Sequence, residues 1–184
     1  MAYTTLAALK SFGGWEGDSE DELLNALILS ATQIIENYTQ RVFEVDSATD
    51  QTFTKVATFP GPSRFKGPTL YFYEELADEA ESITDSPTVI YMPEDGPPYY
   101  GCHITDGAWA YPTVTVNGYW GYSKEPPADI EMACLRLAKW LYDMKDTTMG
   151  DAAVITPEGR VLLPQGLPSD VLSLLKPYKK VTLA

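Results

Sequence analysis

The apolar positions near the start of the chain predict a short helix. Leu6 to Phe12 form a mostly apolar run, and Thr4 or Thr5 stands where a helix cap is needed. Gly13-Gly14 follows, and glycine readily adopts the left-handed conformation that ends a helix. We therefore expect a helix of about two turns.

A second, longer helix is predicted from Ser19 to about Tyr38. Ser19 and Glu22 fit a capping box, in which each side chain accepts a hydrogen bond from a free backbone N–H. The apolar residues recur every three or four positions, which places them on one face of a helix: Leu23, Leu24, Leu27, Ala31, Ile34, Ile35 and Tyr38.

The middle of the chain changes to a β pattern. β-Branched and aromatic residues dominate its apolar runs, and proline-glycine turns separate them. Asn117-Gly118 either makes a hairpin turn or lies inside a strand that runs through to Trp120. The predicted strands are Gln51 to Phe59, Thr69 to Tyr73, Thr88 to Met92 and Ala108 to Trp120.

Helical spacing returns after Pro126-Pro127, since proline is tolerated at the start of a helix. The expected helix runs from Ala128 to Asp143, and a loop follows it. Its inner face would consist of Ile130, Ala133, Cys134, Leu137, Leu141 and Met144.

The last part of the chain combines a predicted hairpin, Val154 to Leu163, with a linker and a short helix capped by Ser169. Isolated helices below about 12–15 residues are marginal in water, so the helix from Asp170 to about Lys176 must dock on something. The apolar residues available for docking are Val171, Leu174, Leu175 and Tyr178. Whether they dock on a partner or on their own domain stays open at this point.

These patterns predict an α+β protein with three parts. Residues 1–43 and 111–150 form a helical core, made of the N-terminal helix pair and the helix near 128–144. Residues 44–110 form a β-rich insertion, and residues 151–184 form a C-terminal hairpin and an arm ending in the short helix.

The charge of the chain argues against tight DNA binding. The formal net charge is −13, and affinity for nucleic acid comes mostly from Lys and Arg neutralising phosphates.

The longest apolar stretch, near Leu23 to Leu29, is interrupted by Asn25 and is far short of the roughly 20 residues that span a membrane. We expect no membrane segment and no export signal. The two cysteines, Cys102 and Cys134, are expected to be buried free thiols, which suits a reducing cytoplasm.

The sequence offers no convincing catalytic or metal site. His103 is the single histidine, and Cys102 beside it would point to the opposite face of a strand. A structural zinc site needs about four Cys or His ligands in paired spacings. No phosphate-binding or calcium loop is present. We expect no enzyme, no cofactor and no metal. The carboxylates of the acidic run are expected to be a solvated surface: Glu74, Glu75, Asp78, Glu79 and Glu81.

Two blocks of sequence resemble the head-tail connector, or adaptor, family of long-tailed bacteriophages, whose longer members are often described as DNA-packaging proteins. The first block joins Thr4 to Gly14, Asp18 to Leu24 and Ile34 to Phe43. The second joins Val114 to Tyr122, Pro127 to Ile130 and Leu174 to Val181. Together these blocks lie at the two ends of the chain.

The resemblance implies a virion protein at the head-tail interface, assembled in the host cytoplasm. Family members form rings, usually of twelve subunits, below the portal. The ring extends the DNA channel used in packaging and ejection, binds no particular DNA sequence, and receives a stopper or tail-completion protein. The C-terminal segment docks on the portal, which for this chain implicates Val171, Leu174, Leu175, Pro177, Tyr178 and Lys179.

Two other interpretations compete with the connector. A stopper or tail-terminator protein of the same particle would lean more to a β-barrel, and the N-terminal helices argue against it. A carbohydrate-binding module would use an aromatic β-face, although Trp and Tyr are equally typical of cores and subunit interfaces. The aromatic residues concerned are Trp109, Tyr111, Tyr119, Trp120 and Tyr122.

Overall fold

The computed structural model describes residues 2–54, 65–85, 87–105, 107, 109, 113–144, 154–155, 161–162 and 166–180. The chain folds as two compact units, a helical unit of Met1–Arg41 with Pro127–Ala184 and a β unit of Val42–Pro126. The expected α+β class is confirmed. The elements in chain order are α1 Leu6–Gly13, α2 Asp21–Thr39, β1 Thr49–Thr54, β2 Phe65–Lys66, β3 Thr69–Leu76, β4 Ser82–Ile83, β5 Val89–Met92, β6 Tyr99–Ile104, β7 Thr113–Gly118, α3 Ala128–Met144, β8 Val154–Ile155, β9 Val161–Leu162 and α4 Ser169–Leu175, followed by a 3₁₀ turn over Lys176–Tyr178.

The start of the chain folds as its local chemistry predicts. The Thr5 side-chain oxygen accepts a hydrogen bond from the backbone N–H of Ala8 at 3.2 Å and so caps α1. Gly14 ends the helix in the left-handed region with φ of 72°. Both ends of α1 are therefore determined by residues adjacent to it in sequence.

The predicted capping box of α2 is wrong. The helix begins at Asp21, and Glu20 is the cap residue without a side-chain cap hydrogen bond. Lys10 of α1 forms salt bridges with the acidic residues around the start of α2. Its ammonium nitrogen lies 2.7 Å from the Asp21 carboxylate and 3.3 Å from the Asp18 carboxylate. A cation from the preceding helix thus binds carboxylates on both sides of the predicted cap residue Ser19.

The helices α2 and α3 pack on each other through buried, mostly apolar faces. The Thr32 hydroxyl lies 3.8 Å from the Cys134 sulfur at the centre of this contact. Six residues of α2 are buried, namely Leu24, Ile28, Ala31, Thr32, Ile35 and Thr39. The predicted apolar stripe therefore differs slightly from the buried face of α2, because Leu23 is exposed and Ile28 is in the core.

Antiparallel pairing organises the β unit into sheets. One sheet has the order β1-β7-β4 and another has the order β2-β3-β6-β5. Asn117 and Gly118 are the last two residues of β7, opposite Asp50 and Thr49 of β1, so they make no hairpin turn, and the strand ends before Trp120. Strand β6 was not predicted, because its glycine and histidine weaken the β pattern.

The division of the chain differs from the expected three parts, because residues 113–126 lie in the β unit and the described C-terminal residues lie in the helical unit. Strand β7 pairs with β1 and β4 and so lies in the β unit, whereas 111–150 was expected to be helical core. The predicted hairpin near 154–163 is seen in the pairing of β8 with β9. Expected features at residues 55–64, 106, 108, 110–112, 145–153, 156–160, 163–165 and 181 lie outside the described residues.

The core of the β unit is rich in aromatic residues. Gly101 lies in its central strand pair, where a Cβ would meet the Leu70 carbonyl oxygen at 2.6 Å. The buried cluster consists of Phe53, Leu70, Phe72, Leu76, Ile83, Tyr99, Cys102, Ile104, Trp109, Val114, Val116 and Trp120.

Across the described ranges, we find no helix of sufficient length and apolarity to traverse a lipid bilayer.

Candidate docking surface at the C-terminal helix

The C-terminal helix α4 lies against the helical unit of its own chain. It contacts α3 and α2, and its side chains Val171 and Leu175 have no exposed surface. Burial of a large apolar side chain contributes about 1.5–3 kcal/mol, which explains how so short a helix persists. Ser169 is the first helical residue, and the cap position is Pro168, so the predicted serine cap is wrong.

Polar contacts fasten both ends of this segment. The Arg136 guanidinium lies 2.9 Å from the Asp170 carboxylate and holds the pKa of that carboxyl below its ordinary value. Beyond α4, the backbone N–H of Lys180 donates to the Thr39 carbonyl at 2.9 Å. Arg41 donates to the Tyr178 carbonyl oxygen at 2.8 Å. Sequence patterns do not reveal these contacts, because they join residues far apart in the chain.

The six residues that the sequence assigned to docking fall into two groups. Val171 and Leu175 face the interior of the helical unit. The other four residues lie at the surface of the helical unit, where Pro177 and Lys179 are exposed and Leu174 and Tyr178 are half-buried. We call these four residues the outer C-terminal surface; they are the ones that a partner could contact without displacing α4.

Positive charge gathers beside this surface. Lys176 and Lys179 are exposed, and neither they nor Lys180 form an ion pair with any described residue. The Lys179 ammonium lies 5.1 Å from the centre of the Tyr38 ring, within cation–π range. In a chain with a net charge of −13, this is a local basic patch.

The candidate catalytic residues are not assembled into a site. Cys102 is buried in the β core. His103 lies on the other face of β6, within the strand and not at a turn, and its Nδ1 atom is 3.2 Å from the Thr69 hydroxyl oxygen. Burial raises the pKa of the Cys102 thiol to about 12, which disfavours the nucleophilic thiolate. Cys134 is likewise a buried free thiol. The described side chains of His, Cys, Asp and Glu include no group of three that could hold a metal ion.

The acidic run lies partly in β3 and not in a loop, as Glu74 and Glu75 belong to that strand. Its carboxylates are exposed or half-buried, and Lys124 pairs with Asp78. Burial is the main cause that raises the pKa of Tyr99, and the negative charges of Glu79 and Asp78 raise this pKa further. The run therefore forms a negatively charged surface of the β unit.

The proposed sugar-binding aromatic face is largely interior. Trp109 and Trp120 are 3% and 7% exposed, so neither ring can stack on a sugar at the surface. Their indole N–H groups donate to the carbonyls of Pro68 and Thr49 at 2.9 and 2.8 Å. Tyr119 and Tyr122 are half-buried, and Tyr111 lies outside the described residues. The two tryptophans thus belong to the β core.

Comparison with known proteins agrees with the helical signature of the N-terminus. Residues 3–60 match the family model described as Phage gp6-like head-tail connector protein. This segment includes α1, α2 and β1. No curated protein matches the chain.

Solved structures share the fold across nearly the whole chain. A chain of the structure titled "Neck of empty GTA particle computed with C6 symmetry" has a TM-score of 0.59 at 13% identity, covering 99% of this chain and 92% of that one. A chain of "Neck of native GTA particle computed with C12 symmetry" has a TM-score of 0.53 at 15% identity, covering 100% and 96%. A chain of "Virion of native gene transfer agent (GTA) particle" has a TM-score of 0.54 at 14% identity, covering 99% and 92%.

The sequence match covers a smaller part of the chain than the structural likeness does. The family match is confined to residues 3–60, whereas the structural likeness extends over nearly the whole chain, including the β unit. The resemblance to the phage head-tail connector family is thus confirmed by sequence for residues 3–60, and the fold of the whole chain is shared with chains of gene transfer agent particles.

Proposed function

We propose that this protein is a structural head-tail connector of a phage-like particle, located in the virion between head and tail and assembled in the host cytoplasm. It forms a ring below the portal, extends the DNA channel and joins the head to a stopper or tail-completion protein. The observation that carries the proposal is the match of residues 3–60 to the connector family, within a fold that particle neck subunits share. The role is structural and involves no catalysis.

A ring of twelve copies is the assembly we infer. The related neck structures were computed with C6 and C12 symmetry, and a twelve-fold ring is compatible with both. Closed rings arise when one surface of a subunit binds a different surface of the next. The net charge of −13 on each copy suits a channel through which DNA passes without adhering, because carboxylates repel phosphates.

The portal contact is assigned to the outer C-terminal surface of Leu174, Pro177, Tyr178 and Lys179. Val171 and Leu175 support it from below by holding α4 on the helical unit. The contact is therefore made by a segment already folded on its own subunit. Lys179 adds a positive charge that would favour an acidic portal surface.

The proposal is tested by mixing the purified full chain with the portal protein encoded in the same genome and imaging the product by electron microscopy. We expect rings stacked coaxially on portal rings. The double variant Leu174→Asp with Lys179→Glu should abolish stacking while keeping the wild-type circular dichroism spectrum. Ile90→Asp, at a 44% exposed position of the β unit, is the control and should stack normally.

Two results would contradict parts of this assignment. Stacking that survives the double variant removes the portal contact from the outer C-terminal surface. A protein that binds tail tube and leaves the portal free is a stopper or tail-terminator, and the connector proposal then fails.

A further inference from the structure

The outward face of α2 carries no charge over three turns. Leu29 is 55% exposed and Leu23 is 38% exposed, and no charged residue occurs between Leu23 and Ile35. Exposed helix faces are usually rich in charged residues, and 21% of this chain is charged. We call this surface the α2 outer face; its exposed residues are Leu23, Asn25, Ala26, Leu29, Ser30 and Gln33.

The α2 outer face points away from the rest of the helical unit. The opposite side of α2 packs on α3, where the Cys134 sulfur lies 4.0 Å from the Ile28 carbonyl oxygen and 3.8 Å from the Thr32 hydroxyl. Successive helical residues are rotated by about 100°, so Ala26 and Ser30 lie almost opposite Ile28. Small residues at these positions leave room for close approach of another element.

A groove lies on the far side of α3. Arg136 is two residues from Cys134 and therefore about 200° around the helix from the α2 contact. The groove has a volume of about 300 Å³ and is lined by Phe12 of α1, by Arg136, Lys139, Trp140 and Asp143 of α3, and by Asp170 of α4. We call it the α3 groove.

The α3 groove combines aromatic groups with charges that are already paired. Phe12 is 42% exposed, and Trp140 is half-buried beside it. Arg136 pairs with Asp170 at 2.9 Å, and Lys139 pairs with Asp143 at 2.8 Å. An apolar side chain entering the groove would therefore cover aromatic surface and leave both cations paired, which avoids the large cost of burying an uncompensated charge.

We propose that the α2 outer face of one copy binds the α3 groove of the next copy, with Leu29 as the side chain that enters the groove. This inference rests on the ring of the proposed function and names the surfaces that close it. An uncharged face on one side of the helical unit and an aromatic groove on the other side form a head-to-tail pair. Such a pair extends from copy to copy, whereas a surface that binds itself stops at a dimer.

The first test compares two single variants of the full chain. Leu29→Arg places a charge on the α2 outer face, and Phe12→Arg places one in the α3 groove. Mass photometry of the wild type should show rings, and each variant should need at least about tenfold higher concentration to assemble. Tyr100→Arg and Ile90→Arg are matched controls at 52% and 44% exposure in the β unit and should assemble as the wild type does.

The second test mixes the two variants. Leu29→Arg keeps an intact α3 groove, and Phe12→Arg keeps an intact α2 outer face. One native contact can therefore form between them, and the mixture should give heterodimers that cannot grow further. Each variant must first show the wild-type circular dichroism spectrum, so that loss of assembly reports on the contact.

The outcomes separate this inference from the proposed function. A wild type that stays monomeric at about 100 µM, without and with portal, overturns the ring itself. Wild-type rings together with unimpaired assembly of both variants overturn the contact and leave the connector intact. A mixture that stays monomeric shows that the two surfaces do not bind each other.

Discussion

The backbone N–H of Lys180 donates a hydrogen bond to the carbonyl oxygen of Thr39, with 2.9 Å between the two atoms. This bond joins the end of the described chain to the last residue of α2. Arg41 reinforces it by donating to the Tyr178 carbonyl oxygen. The C-terminal segment is therefore held at both its helix and its end, and a partner would meet its outer surface.

Replacement of Leu175 by Ala should destabilise the fold. Leu175 has no exposed surface, and leucine-to-alanine changes in a core cost roughly 2–5 kcal/mol in the free energy of unfolding. Leu174→Ala, at the half-buried neighbouring position, is the control and should cost no more than about 1 kcal/mol. Urea unfolding followed by circular dichroism measures both. Equal losses for the two variants would mean that α4 does not pack as described.

The two cysteines should be inert in the native protein. Burial raises the pKa of the Cys102 thiol to about 12, and burial, offset in part by a hydrogen bond with Thr32, raises that of Cys134 to about 11. A raised thiol pKa lowers the thiolate fraction at pH 8, and the thiolate is the reactive form.

Titration with a thiol-reactive disulfide reagent at pH 8 should therefore detect almost no free thiol in the folded chain. The same titration in 8 M urea supplies the control and should detect both cysteines of the sequence. Rapid reaction of either thiol without denaturant would contradict its burial in the core.

Gly101→Ala should disrupt the pairing of β3 with β6. The added Cβ would lie 2.6 Å from the Leu70 carbonyl oxygen and 2.9 Å from the terminal carbon of Met92. Crowding of this kind typically costs about 1–3 kcal/mol of stability, which thermal unfolding would detect as a lower midpoint. The methionine can move aside, but the backbone carbonyl cannot.

The double variant Gly101→Ala with Met92→Ala separates these two contacts. Removing the methionine side chain relieves the flexible contact and leaves the backbone one. We expect the double variant to be no more stable than the sum of the two single-variant losses predicts, because the backbone contact remains. Full recovery would show that the clash with Met92 alone disfavours alanine at position 101.

Local patterns in the sequence predicted most of the helical unit. The Thr5 cap, the left-handed Gly14 and the start of α3 after Pro127 all depend on residues within a few positions of one another. The buried thiols followed from residue type alone, and apolar character predicted that Val171 and Leu175 dock on something without naming the surface that receives them. The division of the C-terminal residues into those facing inward and those facing outward did not, because it depends on where α3 lies.

Prediction failed where the tertiary structure departed from a local pattern. The Ser19 capping box does not form, and α2 begins at Asp21, whose carboxylate binds Lys10 of the preceding helix. Strand β6 was missed because Gly101 and His103 look unfavourable in isolation, although pairing with β3 and β5 on both sides stabilises the strand. Cross-strand partners are chosen by the fold, and the sequence of one strand does not name them.

The sequence by itself determined the helices, the acidic character of the chain and its resemblance to connector proteins, because these depend on local spacing, residue counts and short motifs. Only the tertiary structure decided that α4 folds onto α2 and α3, that the tryptophans belong to the β core, and that an uncharged helix face and an aromatic groove lie on opposite sides of one unit. Those relationships join residues such as Arg136 and Asp170, which are 34 positions apart. Long-range contacts of this kind form because compact packing brings distant apolar surfaces together, and the pattern of any single segment does not specify its neighbour.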